Sequence, residues 1–315
     1  MTILKSPLHT VGLVTLLFAA QISVQAASHK ASRSIPSHKG VISRDPYLGA
    51  LIVEATTGKV LFEYQADAKG YPASVLKLMD LLVVLEKIQQ KQLSLQDQVP
   101  VSAKAAQTGG SQVWLAQKES FTVDEMLYAL MVQSANDAAV ALAERVGGST
   151  EAFTEIMNKR ARELGMTSTV FHSVHGLPPA PGQEHDVTTA RDLSILCREL
   201  LLKHPDTLRY TSTRERPFRP NGPKTVTMRT HNHLLGHVEG CDGLKTGYIT
   251  QAGFSIAVTA SRHNQRIIAI VLDSIDLKTR DARATELVAK GFAALEPSTV
   301  SANRAPATKA HAAKR

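Results

Sequence analysis

Residues 74–89 read SVLKLMDLLVVLEKIQ, a run whose apolar side chains would cover nearly every face of a helix. A helix that is apolar all round lies buried in the middle of a domain rather than on its surface. We therefore predict a central helix from Ser74 to Gln89, with the remaining elements packed around it.

Outward from this helix, β-prone segments lie towards both chain ends and helical segments lie between them. Apolar runs that flank polar turns predict strands at Leu48–Val53, Val60–Tyr64, Gly253–Ala260 and Arg266–Leu272. Helical patterns occur at Val123–Val132, Asp137–Val146, Thr150–Leu164, Thr188–Leu202 and Arg280–Phe292. Residues 211–224, rich in Pro, Arg and Lys, are predicted as a turn-rich connection.

This order of elements predicts an α/β (α+β) fold. The simplest arrangement is one antiparallel sheet built from both chain ends and covered by helices, with a helical lobe inserted in the middle. A cleft is expected where the lobe meets the sheet.

The first 26 residues have the pattern of an export signal. Lys5 precedes an apolar run over residues 11–20, and small residues precede an expected cleavage site after Ala26. This combination is typical of a secretory signal peptide, and the run is too short to span a bilayer. We expect an exported protein without a stable membrane anchor, located in the periplasm or the extracellular cell-wall space.

Basic residues are concentrated at the two ends of the chain. The formal net charge is +8, yet residues 1–44 and 301–315 carry nine Lys or Arg and no acid, so the stretch between them sums to −1. A nucleic-acid-binding domain carries its positive charge in the folded body, which disfavours that class. We assign residues 27–45 to a flexible leader, 46–296 to the folded domain and 297–315 to a disordered basic tail.

The chain has two cysteines, Cys197 and Cys241. An oxidising compartment would allow them to pair, but sequence alone does not show whether they are adjacent. We expect two separate buried thiols, with pairing as the alternative.

Ser74 and Lys77 are the first residues that indicate chemistry. Side chains three apart on a helix lie on one face, so the lysine amine can reach the serine hydroxyl. A serine becomes a useful nucleophile when a base removes its proton, and burial lowers a lysine pKa so that a neutral amine becomes available. By itself this spacing also occurs on ordinary solvated helices.

Two further triplets are chemically suggestive. Ser134-Ala135-Asn136 lies between two apolar helices, and joint action of Ser134 and Asn136 requires a turn there. Asn136 offers a donor and an acceptor for a substrate amide, although a simple helix cap is the alternative. Lys245-Thr246-Gly247 begins a β-rich region, where a glycine on an edge strand would let a substrate backbone approach.

The ordered set of triplets is specific, and here a family resemblance appears. Ser-x-x-Lys, Ser-x-Asn and Lys-Thr-Gly are the three signatures of penicillin-binding proteins and serine β-lactamases. The chain resembles the low-molecular-mass penicillin-binding proteins of the D-alanyl-D-alanine carboxypeptidase family, from about Leu48 to Phe292. Supporting stretches are Pro72-Ala73-Ser74, His175-Gly176-Leu177 and Asp242-Gly243-Leu244-Lys245-Thr246-Gly247-Tyr248. The resemblance implies the penicillin-binding, β-lactamase-like transpeptidase fold.

The resemblance implies catalytic roles for five residues. Ser74 would attack the penultimate D-alanine carbonyl, with Lys77 as its general base. Ser134 and Asn136 would frame the cleft. Lys245 together with Ser134 would pass the proton to the leaving group.

The resemblance also implies how the substrate is held. Backbone N–H groups of Ser74 and Tyr248 would form an oxyanion hole. Thr246 and Arg280 would hold the terminal carboxylate, because a guanidinium binds carboxylate with two parallel hydrogen bonds. Lys245 and Gly247 complete this expected substrate-binding set.

Three positions depart from the pattern of many relatives. Leu76 and Asp80 stand where threonine is common, and Ala135 stands where glycine is common. The first two are expected to adjust packing. The extra methyl of Ala135 is expected beside the cleft, with an effect on substrate choice.

The expected function is that of a monomeric D-alanyl-D-alanine carboxypeptidase that acts on peptidoglycan peptides, binds β-lactams and needs no metal or cofactor. An endopeptidase of the same family, which cuts peptidoglycan cross-links, is the main alternative, since no second β-rich domain or amphipathic anchor follows the last helix. A β-lactamase would need a water-activating acid followed by Asn, and the loop around Glu184 offers no such Asn. A catalytically inactive wall-binding module conflicts with the intact triplets.

His231, His233 and His237 are expected to be surface or structural residues.

Overall fold

The computed structural model describes residues 41–220, 222 and 224–296. The predicted signal peptide over residues 1–26, most of the predicted leader and the predicted tail over 297–315 lie outside the described residues. Within them the strands are β1 Gly49–Glu54, β2 Val60–Tyr64, β3 Gln98–Pro100, β4 Ser120–Thr122, β5 Glu215–Phe218, β6 Val226–Arg229, β7 Cys241–Ile249, β8 Gly253–Arg262 and β9 Gln265–Ser274. The helices are α1 Lys77–Gln89, α2 Ala103–Gln107, α3 Val123–Val132, α4 Asn136–Gly147, α5 Thr150–Leu164, α6 Ala190–Lys203, α7 Thr207–Thr211 and α8 Leu277–Leu295.

One five-stranded sheet in the order β2-β1-β9-β8-β7 joins the two ends of the folded domain. Every neighbouring pair in it is antiparallel. β1 from the start of the domain pairs with β9 from its end, and β7 lies at one edge. The predicted fold class and the predicted assembly of the sheet from both ends are therefore confirmed.

The sheet is buried on both faces, which explains its continuous apolar runs. Ala50 and Ile52 of β1 belong to a core cluster that contains Val288 of α8. Leu51 and Val53, which point the opposite way because side chains alternate along a strand, belong to the core shared with α1 and the other helices. The molecule is thus layered, with α8 on one face of the sheet and the helical lobe on the other.

The central helix begins three residues later than the sequence predicts. Residues Ala73–Leu76 form a 3-10 turn after Pro72, and the α-helix starts at Lys77. Every residue from Lys77 to Leu85 is buried, as the apolar pattern predicts. In a 3-10 turn side chains three apart eclipse each other, so Ser74 still faces Lys77.

The predicted turn-rich connection over 211–224 is wrong in part. β5 and β6 form a hairpin in which Pro217 lies opposite Thr227. Proline is tolerated in an edge strand because its missing N–H can face away from the partner. β3, β4, α2 and α7 span only three to five residues each, so a hydrophobic period could not identify them.

The end of the predicted leader is part of the folded domain. Ile42 N donates to Gln251 O at 2.8 Å, and Arg44 N donates to Asp273 O at 3.0 Å. These bonds tie residues 42–44 to the turn between β7 and β8 and to the end of β9.

Cys197 is buried in α6 and Cys241 begins β7, and neither forms a disulfide. The expectation that the two thiols are separate is confirmed, but only Cys197 is buried, whereas Cys241 is partly exposed. Among the described helices, none is both long and apolar enough to cross a bilayer.

Candidate active site

Ser74 and Lys77 meet where the 3-10 turn Ala73–Leu76 continues into α1. Lys77 Nζ lies 2.9 Å from Ser74 Oγ, and Lys77 is fully buried. Burial is the main cause that lowers the pKa of Lys77 to about 8, and Asp80, Asp186 and Asp137 oppose this lowering only where they are ionised, by stabilising the ammonium charge. The geometry therefore provides an amine that can be neutral near physiological pH, in contact with a hydroxyl.

Two further oxygens fix the orientation of the Lys77 amine. Lys77 Nζ donates to Asn136 Oδ1 at 2.8 Å and to the carbonyl oxygen of His175 at 2.9 Å. Both are acceptors only, so a neutral amine bound to them turns its lone pair towards the third partner, Ser74 Oγ.

The polar atoms of Asn136 bond mainly to other groups of the protein. Besides accepting from Lys77, its Nδ2 donates to Gly109 O at 2.8 Å, and its backbone N donates to Ser111 O at 2.7 Å. The expectation that Asn136 offers its amide freely to substrate therefore needs correction. One amide N–H remains, and the Oδ1 atom helps to hold Lys77.

Ser134 and Lys245 form a second hydroxyl–amine pair. Lys245 Nζ donates to Ser134 Oγ at 2.9 Å and to Thr246 O at 2.8 Å. Ser134 has φ +60° at the junction of α3 and α4, which is the turn that the sequence requires there. Burial, together with the cations Lys77 and Arg280, holds the pKa of Lys245 well below its ordinary value.

Ala135 does not line the cleft. It is fully buried and packs in the main core. The expectation that its methyl lies beside substrate is therefore wrong, because the tight turn at Ser134 directs the next side chain inward.

Gly247 brings strand β7 against the turn that carries Ser74. A Cβ atom at Gly247 would lie 2.6 Å from Pro72 O and 3.1 Å from Ser74 N. The close approach that requires glycine here is thus made by the protein's own backbone, not only by a substrate. It places the Ser74 N–H beside the edge of β7, where Tyr248 follows.

The remaining sequence-predicted residues lie along β7 and α8. Thr246 is buried, whereas Tyr248 is 53% exposed. Arg280 is buried, and its guanidinium donates to Asp281 Oδ1 at 2.6 and 2.9 Å. Its charge contributes to lowering the pKa of Lys245, which places Arg280 near the second pair.

Sequence reasoning missed the His175 carbonyl and the carboxylate of Asp137. Asp137 accepts from Leu115 N at 3.0 Å and from Val113 N at 3.2 Å, which ties the loop after α2 to the Ser134 turn. No side-chain pattern could reveal a main-chain acceptor such as His175 O. The acidic residue that directly follows the Ser-x-Asn triplet was the only sequence signal for Asp137.

Of the histidines predicted to be surface or structural residues, His231 and His233 lie close enough for their charges to interact. His233 Nδ1 lies 2.9 Å from Asp281 Oδ2. Burial is the main cause that lowers the pKa values of His231 and His175 to about 4. In the part of the chain that the structure describes, no group of three or more His, Cys, Asp or Glu has the geometry to hold a metal ion.

A cavity of about 710 Å³ is lined in part by His175, whose carbonyl oxygen accepts a hydrogen bond from Lys77. Lys104, Glu151, Glu184 and Asp186 also line it. The Glu184 side chain is 84% exposed and lies 3.5 Å from His172 Nε2, so its carboxylate faces solvent and a neighbouring imidazole.

Comparison with known proteins identifies the family. A family model described as peptidase S11, D-alanyl-D-alanine carboxypeptidase, matches residues 48–275. D-alanyl-D-alanine carboxypeptidase DacF of Bacillus subtilis (strain 168) is 36% identical over 247 residues, 78% of this chain and 62% of that protein. A D-alanyl-D-alanine endopeptidase of Pseudomonas aeruginosa is 28% identical over 279 residues, 87% of this chain and 86% of that one.

A solved structure shows the same likeness. Penicillin-binding protein D2 from Listeria monocytogenes, in its ampicillin-bound form, superposes with a TM-score of 0.69 at 33% identity, covering 78% of this chain and 97% of that one. This chain spans 62% of the length of the first curated relatives it matches. The family model covers most of the folded domain and all three triplets, and the chain therefore belongs to the peptidase S11 family of D-alanyl-D-alanine carboxypeptidases.

Proposed function

We propose that this protein is a serine-type D-alanyl-D-alanine carboxypeptidase that trims peptidoglycan stem peptides through an acyl-enzyme on Ser74. The observation that carries the proposal is the 2.9 Å contact between Ser74 Oγ and the buried Lys77 Nζ. A nucleophile in hydrogen-bond contact with an oriented base is the arrangement that covalent acyl transfer requires.

In the proposed reaction, the neutral Lys77 takes the Ser74 proton as Oγ attacks the carbonyl carbon of the penultimate D-alanine. The N–H groups of Ser74 and Tyr248 would stabilise the oxyanion, and one such donor is typically worth about 3 kcal/mol. Ser134, bonded to Lys245, would deliver a proton to the nitrogen of the departing D-alanine. Water then hydrolyses the ester and restores Ser74.

The positively charged side chains near Ser74 suit the free carboxylate of a C-terminal D-alanine. Lys245, Thr246 and Arg280 would bind it, with Arg280 already oriented by Asp281. Gly247 and Tyr248 on the edge strand β7 would lie along the peptide. No metal or cofactor enters the proposed reaction.

An endopeptidase that cuts peptidoglycan cross-links is the second candidate. The observation that favours it is the likeness to the Pseudomonas aeruginosa endopeptidase across 87% of this chain. Incubating the protein with uncross-linked and cross-linked muropeptides, followed by mass analysis, separates the two. Release of D-alanine alone supports the carboxypeptidase, and conversion of dimers to monomers supports the endopeptidase.

We expect a penicillin to acylate Ser74 and to remain attached for minutes or longer. The reason is that Glu184, the acid considered for deacylation, has an 84% exposed side chain beside His172. Intact mass should rise by one drug molecule in the wild type and stay unchanged in Ser74→Ala. An equal adduct on Ser74→Ala, or none on the wild type, would refute the proposed nucleophile.

We expect the acylation rate to rise with pH, with a midpoint near pH 8. Lys77 acts as a base only when neutral, and its pKa is lowered to about 8, so about one tenth of the molecules would be active at pH 7. Stopped-flow or gel-based rates with a fluorescent penicillin between pH 5.5 and 9 measure this. A rate that is flat across this range would contradict a titrating lysine base.

We also propose that the protein is exported and works as a monomer in the periplasm or the extracellular cell-wall space. The basis is the signal-like composition of residues 1–26 and the family's peptidoglycan chemistry. Residues 46–296, together with residues 42–44 bonded to them, would form the catalytic domain.

A further inference from the structure

Asp80 is a buried acid that the proposed reaction does not use. It lies one turn after Lys77 in α1, on the same face of the helix, and is 1% exposed. Neither of its carboxyl oxygens has a hydrogen-bond partner among the described residues. The sequence suggested only a packing role for this position.

The neighbouring buried acids differ from Asp80 in this respect. Asp137 accepts backbone N–H bonds from Val113 and Leu115. Asp186 accepts from His172 N at 2.6 Å and from Ser173 N at 2.9 Å. Such donors stabilise a carboxylate anion, whereas a buried anion without donors is costly and takes up a proton instead.

The charges that face Asp80 act in opposite directions. Burial raises the pKa of Asp80 well above its ordinary value, the nearby Asp186 raises it further, and Lys77 opposes both. Lys77 is the cation on the same helix, and Asp186 is the facing acid from the segment before α6. His175, also close to Lys77, is uncharged at neutral pH because its pKa is about 4.

The bonding of Lys77 shows that Asp80 is not its counter-ion. Lys77 Nζ makes its three hydrogen bonds with Ser74, Asn136 and His175. An anion one turn away would nevertheless stabilise the ammonium form through space and keep the proton on the base. A protonated Asp80 would exert no such effect.

We propose that Asp80 carries a proton in the folded protein and serves as a positioning residue that leaves Lys77 free to be a neutral amine. The effect on Lys77 as a base rests on the proposed function, but the protonation of Asp80 is a property of the folded protein itself. The two parts are therefore tested by separate measurements.

The first measurement is infrared spectroscopy of the purified protein at pH 7. The C=O absorption of a protonated carboxyl should be present in the wild type and reduced in Asp80→Asn. Asp124→Asn is the matched control, since Asp124 pairs with Arg209 at 2.9 Å and should leave that absorption unchanged. Identical protonated-carboxyl absorption in the wild type and Asp80→Asn would overturn the proposal, whatever the enzymatic activity.

The second measurement is the pH dependence of penicillin acylation. Asparagine has nearly the shape of a protonated aspartic acid, so Asp80→Asn should keep the midpoint of the wild-type acid limb within about 0.3 pH unit and the maximal rate within about threefold. If Asp80 were ionised, its removal would lower the pKa of Lys77. A midpoint at least one pH unit lower in Asp80→Asn would therefore overturn the proposal.

Asp80→Thr serves if Asp80→Asn does not fold, because a smaller side chain avoids a buried amide. Asp80→Thr should likewise reduce the protonated-carboxyl absorption and keep the pH midpoint of acylation. An unchanged absorption, or a midpoint at least one pH unit lower, would overturn the proposal. If the wild type is not acylated at all, the proposed function fails while the infrared result still decides the state of Asp80.

Discussion

Replacing Lys77 with arginine is expected to lower the rate of penicillin acylation of Ser74 by at least about 100-fold, the lower limit of what general-base catalysis usually contributes. Arginine keeps a cation one turn from Ser74, so a purely structural cation would be partly replaced. A base must lose its proton, however, and a guanidinium with a pKa above about 12 does not. The measurement is the second-order rate with a fluorescent penicillin at pH 8.

The burial of Lys77 makes a folding control essential for this variant. The larger guanidinium must fit a fully buried site with three fixed oxygens, so the melting curve is recorded beside the rate. Lys77→Met removes the base with less strain and should show the same loss. Lys104→Arg, at an exposed lysine paired with Glu151, should acylate like the wild type. A folded Lys77→Arg protein that acylates within a few-fold of the wild type would transfer the base role to Ser134 and Lys245.

Much of the fold could be predicted from apolar patterning because the core is large and regular. The bounds of α3 and α5 agree with the predicted ranges Val123–Val132 and Thr150–Leu164. Both faces of the central sheet are buried, so β1 and β9 appear in the sequence as continuous apolar runs. The hairpin of β5 and β6 was missed because Pro217 and the surrounding charges resemble a loop.

The reacting side chains could be proposed from three short triplets, but their partners could not. Ser74, Lys77, Ser134 and Lys245 lie together as expected, because the turn at Ser134 and the edge strand β7 converge on the start of α1. The third partner of Lys77 is the main-chain oxygen of His175, which any residue type would supply. The isolation of Asp80 likewise depends on tertiary packing, and no spacing in the sequence encodes it.

Replacing Gly247 with alanine is expected to lower acylation by about 100-fold, the loss associated with a displacement of about 1 Å in an active site. The added Cβ would lie 2.6 Å from Pro72 O and 3.1 Å from both Ser74 N and Val75 Cγ2. Two of these are backbone atoms and cannot rotate away. Strand β7 and the Ser74 turn must therefore separate, which would shift Ser74 Oγ relative to the Lys77 amine and to the N–H of Tyr248.

Gly109→Ala provides the matched control for this displacement. Gly109 also lies beside the site, since its carbonyl accepts from Asn136 Nδ2 at 2.8 Å, but a Cβ there would meet no atom within 4 Å. A substitution into open space typically changes stability by less than about 0.5 kcal/mol, so its acylation rate should stay close to that of the wild type. Both variants should bind penicillin at one site, with only Gly247→Ala slow to form the adduct. If a folded Gly247→Ala protein acylates as fast as Gly109→Ala, the contact between β7 and the Ser74 turn does not position the nucleophile, and the need for glycine at this position would lie in the fold alone.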